Sequence, residues 1–236
     1  MSKVTTSTFD VIIIGAGIAG MYQLLKLREL GFSVKVYEAG GDVGGTWYWN
    51  RYPGCRFDSE SYSYGYSFSQ ELLDEWDWTE HFSPQPETLR YLNLVADKFD
   101  LRADIQFDSR VKKATFKQAD TQWEIELEDG STERAQFLIS ATGPLSAPQM
   151  PNIAGVQDYA GESFHTARWP RDPNGFGGSK DIDFEGKSVG VIGTGASGVQ
   201  VIQEIAKTAK ELLVFQRNPN WCAPLKNSPI SEKEQL

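Results

Sequence analysis

Apolar and polar positions along this 236-residue chain change period several times, and each change marks an element. Residues 11–14 form an unbroken apolar run ending at a glycine, and 9–14 reads as a parallel strand buried on both faces. Residues 18–30 carry apolar side chains at helical spacing and stop at Gly31, and residues 33–38 form a second strand, which closes a β-α-β unit. Residues 39–68 mix glycine, serine and aromatics with no period and predict an irregular segment. Helices are expected over 69–76 and 86–99, the second opening on Pro86 and Glu87. Alternation then dominates at 111–116 and 123–127, with a turn at Asp129-Gly130 and a further strand at 135–139, which reads as a β-meander. Ala141-Thr142-Gly143-Pro144 and Pro148-Gln149-Met150-Pro151 read as a stiff connector, and residues 171–186 (Asp172-Pro173-Asn174-Gly175, Gly177-Gly178) as a loop. Strand 187–192, helix 196–207 and strand 211–216 repeat the β-α-β pattern. The expected class is α/β, with a meander inserted into the first nucleotide-type domain.

Both strand-to-helix junctions carry the same spacing of glycines. Gly15, Gly17 and Gly20 sit at the first, and Gly193, Gly195 and Gly198 at the second. In Gly-x-Gly-x-x-Gly after a strand, one glycine makes the tight turn, one admits backbone N–H groups to a pyrophosphate, and one lets helix and strand pack closely. Two such loops imply two dinucleotides and electron transfer between them. Glu38 closes the strand after the first loop, where a carboxylate accepts hydrogen bonds from a ribose 2′-hydroxyl, as FAD and NAD require. The equivalent strand of the second unit ends in Gln216-Arg217. A guanidinium in place of the acid favours the 2′-phosphate of NADP(H). Thirty-eight residues, 199–236, follow the last glycine of the second loop, enough for one helix and one strand. The second nucleotide domain is therefore only begun.

Composition narrows the classes. A net charge of −9 argues against a nucleic-acid or anionic-membrane surface. No apolar run reaches membrane-spanning length, and the first residues lack the apolar core of a secretion signal, so a cytoplasmic location is expected. Cys55 and Cys222 stand alone, which indicates neither a metal site nor a redox dithiol. Seven tryptophans are many for this length, with Trp47, Trp49, Trp76 and Trp78 close in sequence. Core packing and an aromatic wall around a flat cofactor would look alike.

Longer strings add a resemblance. With an FAD-type loop first, an NADP-type loop second and a meander between, the chain resembles the class B flavoprotein monooxygenases. Gly44-Gly45-Thr46-Trp47, Tyr52-Pro53-Gly54 and Asp58 fit the Baeyer–Villiger pattern [AG]-G-x-W-x4-[FY]-P-[GM]-x3-D. Tyr159, Gly161, His165 and Trp169-Pro170 fit F-x-G-x3-H-x3-W-[PD], with Tyr159 in place of Phe. Ala141-Thr142-Gly143 resembles the connector between the two nucleotide domains of this superfamily.

The resemblance implies an FAD-binding domain over 1–144, a connector with the family fingerprint over 145–186, and a partial NADP-binding domain over 187–236. It implies FAD contacts from Gly45, Thr46, Trp47, Tyr64 and Val111, the last of which otherwise reads as strand core. Thr194, Ser197 and Gln200 would lie at the NADP pyrophosphate. Asp58 resembles an active-site acid that orients an arginine; alone it would read as a turn cap. His165 resembles a linker residue coupling nicotinamide binding to domain rotation, and a structural histidine is the competing reading. The implied reaction is oxygen insertion beside a ketone carbonyl, using NADPH and O2 and giving an ester or lactone. No arginine here matches the family's catalytic one. A second polypeptide carrying the C-terminal half, with that arginine, the rest of the NADP domain and the substrate pocket, is the expected partner in a naturally split enzyme; a shortened form of a longer protein is the alternative. An N- or S-oxygenating flavin enzyme and a non-catalytic nucleotide-binding subunit are the rival functions.

Overall fold

The computed structural model describes residues 8–145, 147–171 and 182–235. The elements are β1 (Thr8–Ile14), α1 (Ile18–Glu29), β2 (Val34–Tyr37), α2 (Thr46–Trp49), α3 (Gln70–Glu75), α4 (Gln85–Lys98), β3 (Ile105–Gln106), β4 (Val111–Lys117), β5 (Gln122–Leu127), β6 (Thr132–Ser140), β7 (Ser188–Ile192), α5 (Ala196–Ile205), β8 (Glu211–Phe215) and α6 (Glu232–Gln235), with short 3-10 turns between some of them. Of the loop expected over 171–186, residues 172–181 lie outside the described residues. The chain divides into two compact units, 1–49 with 92–146, and 50–91 with 147–236, the first division after residue 49 following α2 and the second falling inside α4.

The first unit is built on a six-stranded sheet of order β3-β2-β1-β6-β5-β4. β1 is parallel to β2 (Val11↔Val34) and to β6 (Val11↔Phe137), and β2 is parallel to β3. β4, β5 and β6 are antiparallel neighbours. The third strand of the meander is therefore also a member of the parallel sheet, and the meander continues it rather than standing apart. Ile12, Tyr37, Ile125, Leu127 and Ala135 form a core cluster spanning both parts. α1 buries Gly20, Met21, Leu24 and Leu25, one stripe at helical spacing. It ends as the glycine predicts: Gly31 is left-handed, its N–H bonds to Arg28 O and that of Phe32 to Leu27 O, a Schellman closure.

In the second unit β7 and β8 form a two-stranded parallel sheet, Ser188↔Glu211 to Ile192↔Phe215, with α5 between them in sequence. The helix expected over 69–76 is capped by the Ser69 hydroxyl, which accepts the Leu72 N–H at 3.3 Å. Glu87, read from sequence as a first-turn acid, is buried. Its carboxylate accepts the Thr79 N–H at 2.9 Å and the hydroxyls of Thr79 and Ser83 at 2.9 and 2.7 Å. Trp76, Trp78 and Tyr91 pack ring on ring at 5.1–5.7 Å with Phe57 beside them, whereas Trp47 and Trp49 belong to the first unit. Among the described residues no helix is long and apolar enough to cross a membrane, and no group of His, Cys, Asp and Glu could hold a metal ion.

Candidate functional site

The first glycine loop joins β1 to α1. Gly15 has φ +102°, and its N–H bonds to Tyr37 O at 2.9 Å. A Cβ on Gly20 would stand 1.9 Å from Gly15 O, and one on Gly15 2.6 Å from Ala141 O. These two glycines let helix, loop and the end of β6 pack backbone to backbone. Gly17 is the N-cap of α1, with no side-chain cap and no acid in the first turn, so the positive end of the helix is not neutralised from within.

Gly44 and Gly45 of the Gly44-to-Asp58 string fold against this loop. The Gly44 N–H bonds to Ala16 O at 3.0 Å, and a Cβ on Gly45 would stand 2.8 Å from Gly17 Cα. Thr46 opens α2, and the Trp47 ring is buried. Glu38, 5% exposed, holds the loop from the other side: Oε2 accepts the Ala16 N–H and Oε1 the Gly40 N–H, both at 2.7 Å. A carboxylate offers about four acceptor positions, so two remain for a ligand hydroxyl. Val111 starts β4 opposite Leu127 and packs against the core cluster, where its side chain is strand core.

In the second unit the loop between β7 and α5 repeats the geometry. Gly193 has φ +102°, its N–H bonds to Phe215 O at 2.8 Å, and a Cβ on Gly198 would stand 2.4 Å from Gly193 O. Gly195 caps α5, again with no side-chain cap and no first-turn acid. No heavy atom outside its chain neighbours lies within 4 Å of a Cβ built there, among the described residues. Thr194 is tied on both sides: its hydroxyl donates to Gln216 Oε1 at 3.2 Å, and its carbonyl accepts from Asn220 Nδ2 at 2.6 Å. The Asn220 tie was not visible in the sequence, since nothing in a Pro-Asn step announces a loop twenty-six residues away. The Arg217 side chain is exposed just beyond β8.

Ser197 lies beside the Tyr52 hydroxyl. Gln200 turns to the same region. Its Oε1 accepts the Tyr52 hydroxyl at 2.8 Å and the Arg56 N–H at 3.3 Å, and its Nε2 donates to Arg56 O at 2.9 Å. All three bonds go to protein. Gly54, φ +77°, rests on the same helix, where a Cβ would stand 3.0 Å from Gln200 O and 2.8 Å from Glu204 Cγ. Burial pushes the Tyr52 hydroxyl well above its usual range, with the Cys55 charge second, and burial pushes the Cys55 thiol up to about 12.

Asp58 is exposed two residues beyond Arg56, and Tyr64 stacks on Phe57 at 4.4 Å. His165 caps a 3-10 turn (Thr166–Arg168): Nδ1 accepts the Ala167 N–H at 3.1 Å while Nε2 faces Gln149 O at 3.3 Å. A neutral ring with its proton on Nε2 satisfies both contacts. Trp169 is buried between Phe164 and Phe184, and its indole N–H has no partner among the described residues.

The chain matches the flavin-binding monooxygenase-like family model over residues 9–227. It belongs to that family. Among its relatives it is 52% identical over 233 residues to 2-oxo-Δ3-4,5,5-trimethylcyclopentenylacetyl-CoA monooxygenase of Pseudomonas putida, covering 99% of this chain and 42% of that protein. It is 48% identical to acetone monooxygenase (methyl acetate-forming) of Gordonia sp. strain TY-5, over 98% of this chain and 42% of the relative. A phenazine N-monooxygenase of Lysobacter antibioticus is 43% identical over 95% of this chain and 40% of its own length. A crystal structure of OTEMO in complex with FAD and NADP superimposes with a TM-score of 0.92 at 52% identity, covering 98% of this chain and 43% of that one. The chain thus spans about two fifths of the length of the relatives it matches.

Proposed function

We propose that this chain supplies the FAD site and the first part of the NADP site of an enzyme that inserts oxygen beside a ketone carbonyl, giving an ester or lactone. One observation carries the reading: the fingerprint glycines Gly45 and Gly54 each press against a dinucleotide motif, Gly45 on the loop at Gly17 and Gly54 on α5. The Gly44-to-Asp58 string is therefore built into the two nucleotide motifs and is not an ornament of the surface. Residues 1–144 then hold the flavin, 145–186 connect, and 187–236 begin the nicotinamide domain. Cytoplasmic location fits the same reading.

The residues fit both groups. Two helix N-termini carry no internal counter-charge, and the glycines leave room where a Cβ would block a pyrophosphate. When bound, flavin and nicotinamide supply hydride transfer and oxygen activation. The protein's part is orientation and electrostatics. Glu38 holds the first loop rigid and offers its free lone pairs to a ribose hydroxyl, with Gly15, Gly17, Gly20, Gly45, Thr46 and Trp47 around the flavin; the resemblance alone adds Tyr64 and Val111. Gly193, Thr194, Gly195, Ser197 and Gly198 receive the second pyrophosphate, Gln200 stands behind them, and Arg217 reads the 2′-phosphate. Asp58 holds a cationic side chain brought by the rest of the enzyme, and His165 keeps the connector in shape through its two ring contacts.

The β7–β8 sheet leaves Ile192, Leu213, Val214 and Phe215 exposed. Apolar parallel strands are normally covered on both faces, which supports further strands and helices here, from a continuation of this polypeptide or from a second chain. The phenazine N-monooxygenase relative supports a second reading, N-oxygenation, with the same cofactors. The test is the enzyme containing this chain, supplied with NADPH, O2 and either a cyclic ketone or an aromatic amine. Lactone formation is the expected result, N-oxide alone would establish the second reading, and no oxygenation of either substrate with NADPH and O2 present would overturn the first.

A further inference from the structure

We infer that Gln200 is a positioning residue: its side-chain amide fixes the Asp58-bearing segment to the helix of the second glycine loop. The inference rests on the role proposed above for Asp58. The amide brackets a single peptide unit pair, accepting the Arg56 N–H and donating to the Arg56 carbonyl, as a neighbouring strand would. The backbone that runs on to Asp58 two residues later is thereby pinned to α5 by directional bonds. Gly54 closes the approach sterically, since its left-handed φ of +77° and missing side chain let the turn lie on Gln200 O.

The other side of the same segment is equally held. Arg56 reaches Glu80 Oε2 at 2.9 Å and Phe82 O at 3.1 Å, Asn227 also bonds to Glu80, and the Gln85 N–H donates to Cys55 O at 2.8 Å. Between these two supports, the position of Asp58 depends on α5, whose first turn is the nucleotide end. Only an amide both donates and accepts in this geometry. The Tyr52 hydroxyl adds a third bond from the same segment at 2.8 Å.

A residue that touched the nucleotide would act on affinity, whereas one that places Asp58 acts on turnover. In the flavin-loaded enzyme containing this chain, Gln200→Ala should raise amide exchange at Arg56 and slow flavin reduction by NADPH, each about tenfold, while the apparent KM for NADPH moves less than about twofold. Gln200→Glu keeps both accepting contacts and loses the donated one; it should be intermediate in both readouts, and it carries the test if the alanine variant does not fold. Tyr52→Phe should stay within about twofold of wild type. Unchanged exchange at Arg56, or a raised KM with unchanged reduction rate, would overturn the inference while leaving the functional reading intact. A wild-type flavin that NADPH does not reduce would overturn the functional reading and, with it, the inference.

Discussion

Glu38 Oε2 accepts the backbone N–H of Ala16 at 2.7 Å, which makes the acid at the end of β2 part of the frame of the first glycine loop. Glu38→Ala would leave this buried donor and that of Gly40 without partners. A hydrogen bond to a charged group is worth about 1.5–3 kcal/mol, so a loss of roughly 3 kcal/mol or more is expected, with release of flavin. Thermal melting and the flavin absorbance remaining after gel filtration check both parts. Glu38→Gln should fall between the two.

Two glycines of one motif should differ sharply. Gly20→Ala places a Cβ 1.9 Å from Gly15 O and should prevent folding of the first unit. Gly17→Ala meets Gly45 Cα at 3.4 Å and Gly45 N at 3.9 Å, so the chain should fold yet bind flavin poorly, because the methyl covers the helix N-terminus. Circular dichroism and flavin content separate the two outcomes; equal behaviour would remove the distinction drawn here.

Arg217→Ala should raise the apparent KM for NADPH by about ten- to a hundredfold and leave that for NADH nearly unchanged. Steady-state kinetics with both cofactors is the measurement, and equal effects would show that Arg217 does not read the 2′-phosphate.

Asp58→Ala should keep flavin bound and strongly slow its reduction or the oxidation of ketone, because the change removes a counter-charge and no cofactor contact. Stopped-flow reduction of the variant reads this directly. Wild-type turnover would return Asp58 to turn capping.

The two cysteines should separate by reactivity. Burial pushes the Cys55 thiol up to about 12, and Cys222 is exposed. At pH 8 iodoacetamide should label Cys222 and spare Cys55 in the native protein, read by peptide mass spectrometry. The same shift sets an alkaline limit. A thiol whose pKa is raised on folding contributes stability that is fully present below its unfolded value, near 9, and is lost as pH rises toward 12. The raised Tyr52 hydroxyl acts in the same direction. Denaturant midpoints should therefore fall between pH 9 and 12, and less steeply in Cys55→Ala.

Both β-α-β units were legible because their information is local: an apolar run, a glycine spacing and a helical stripe lie within thirty residues of one another. The turn at Asp129-Gly130 was equally plain, and there the Ser131 N–H and hydroxyl both donate to Asp129 Oδ1. Interactions between distant segments were not legible. Nothing in the sequence pairs Gln200 with Arg56, Asn220 with Thr194, or Asn227 with Glu80. Glu87 at a helix start looks like any first-turn acid, and only the packed structure makes it a buried hub. The resemblance places Gln200 beside the NADP pyrophosphate; the partners of its amide, Tyr52 and Arg56, could not be read from the sequence.

The pairing of Thr8 in β1 with Arg134 in β6 also sets a schedule for synthesis. At about 5–20 residues per second, roughly 6–25 s separate the emergence of these two strands from the ribosome. Throughout that interval β1 has one open edge, and the first glycine loop lacks Ala141, against which Gly15 closes. The second motif pairs Ser188 with Glu211, which emerge only about 1–5 s apart at the same rate. Nascent chains halted before residue 132 should thus be the ones that engage chaperones and proteases, and a pause there would cost the cell more protein than one placed after residue 141.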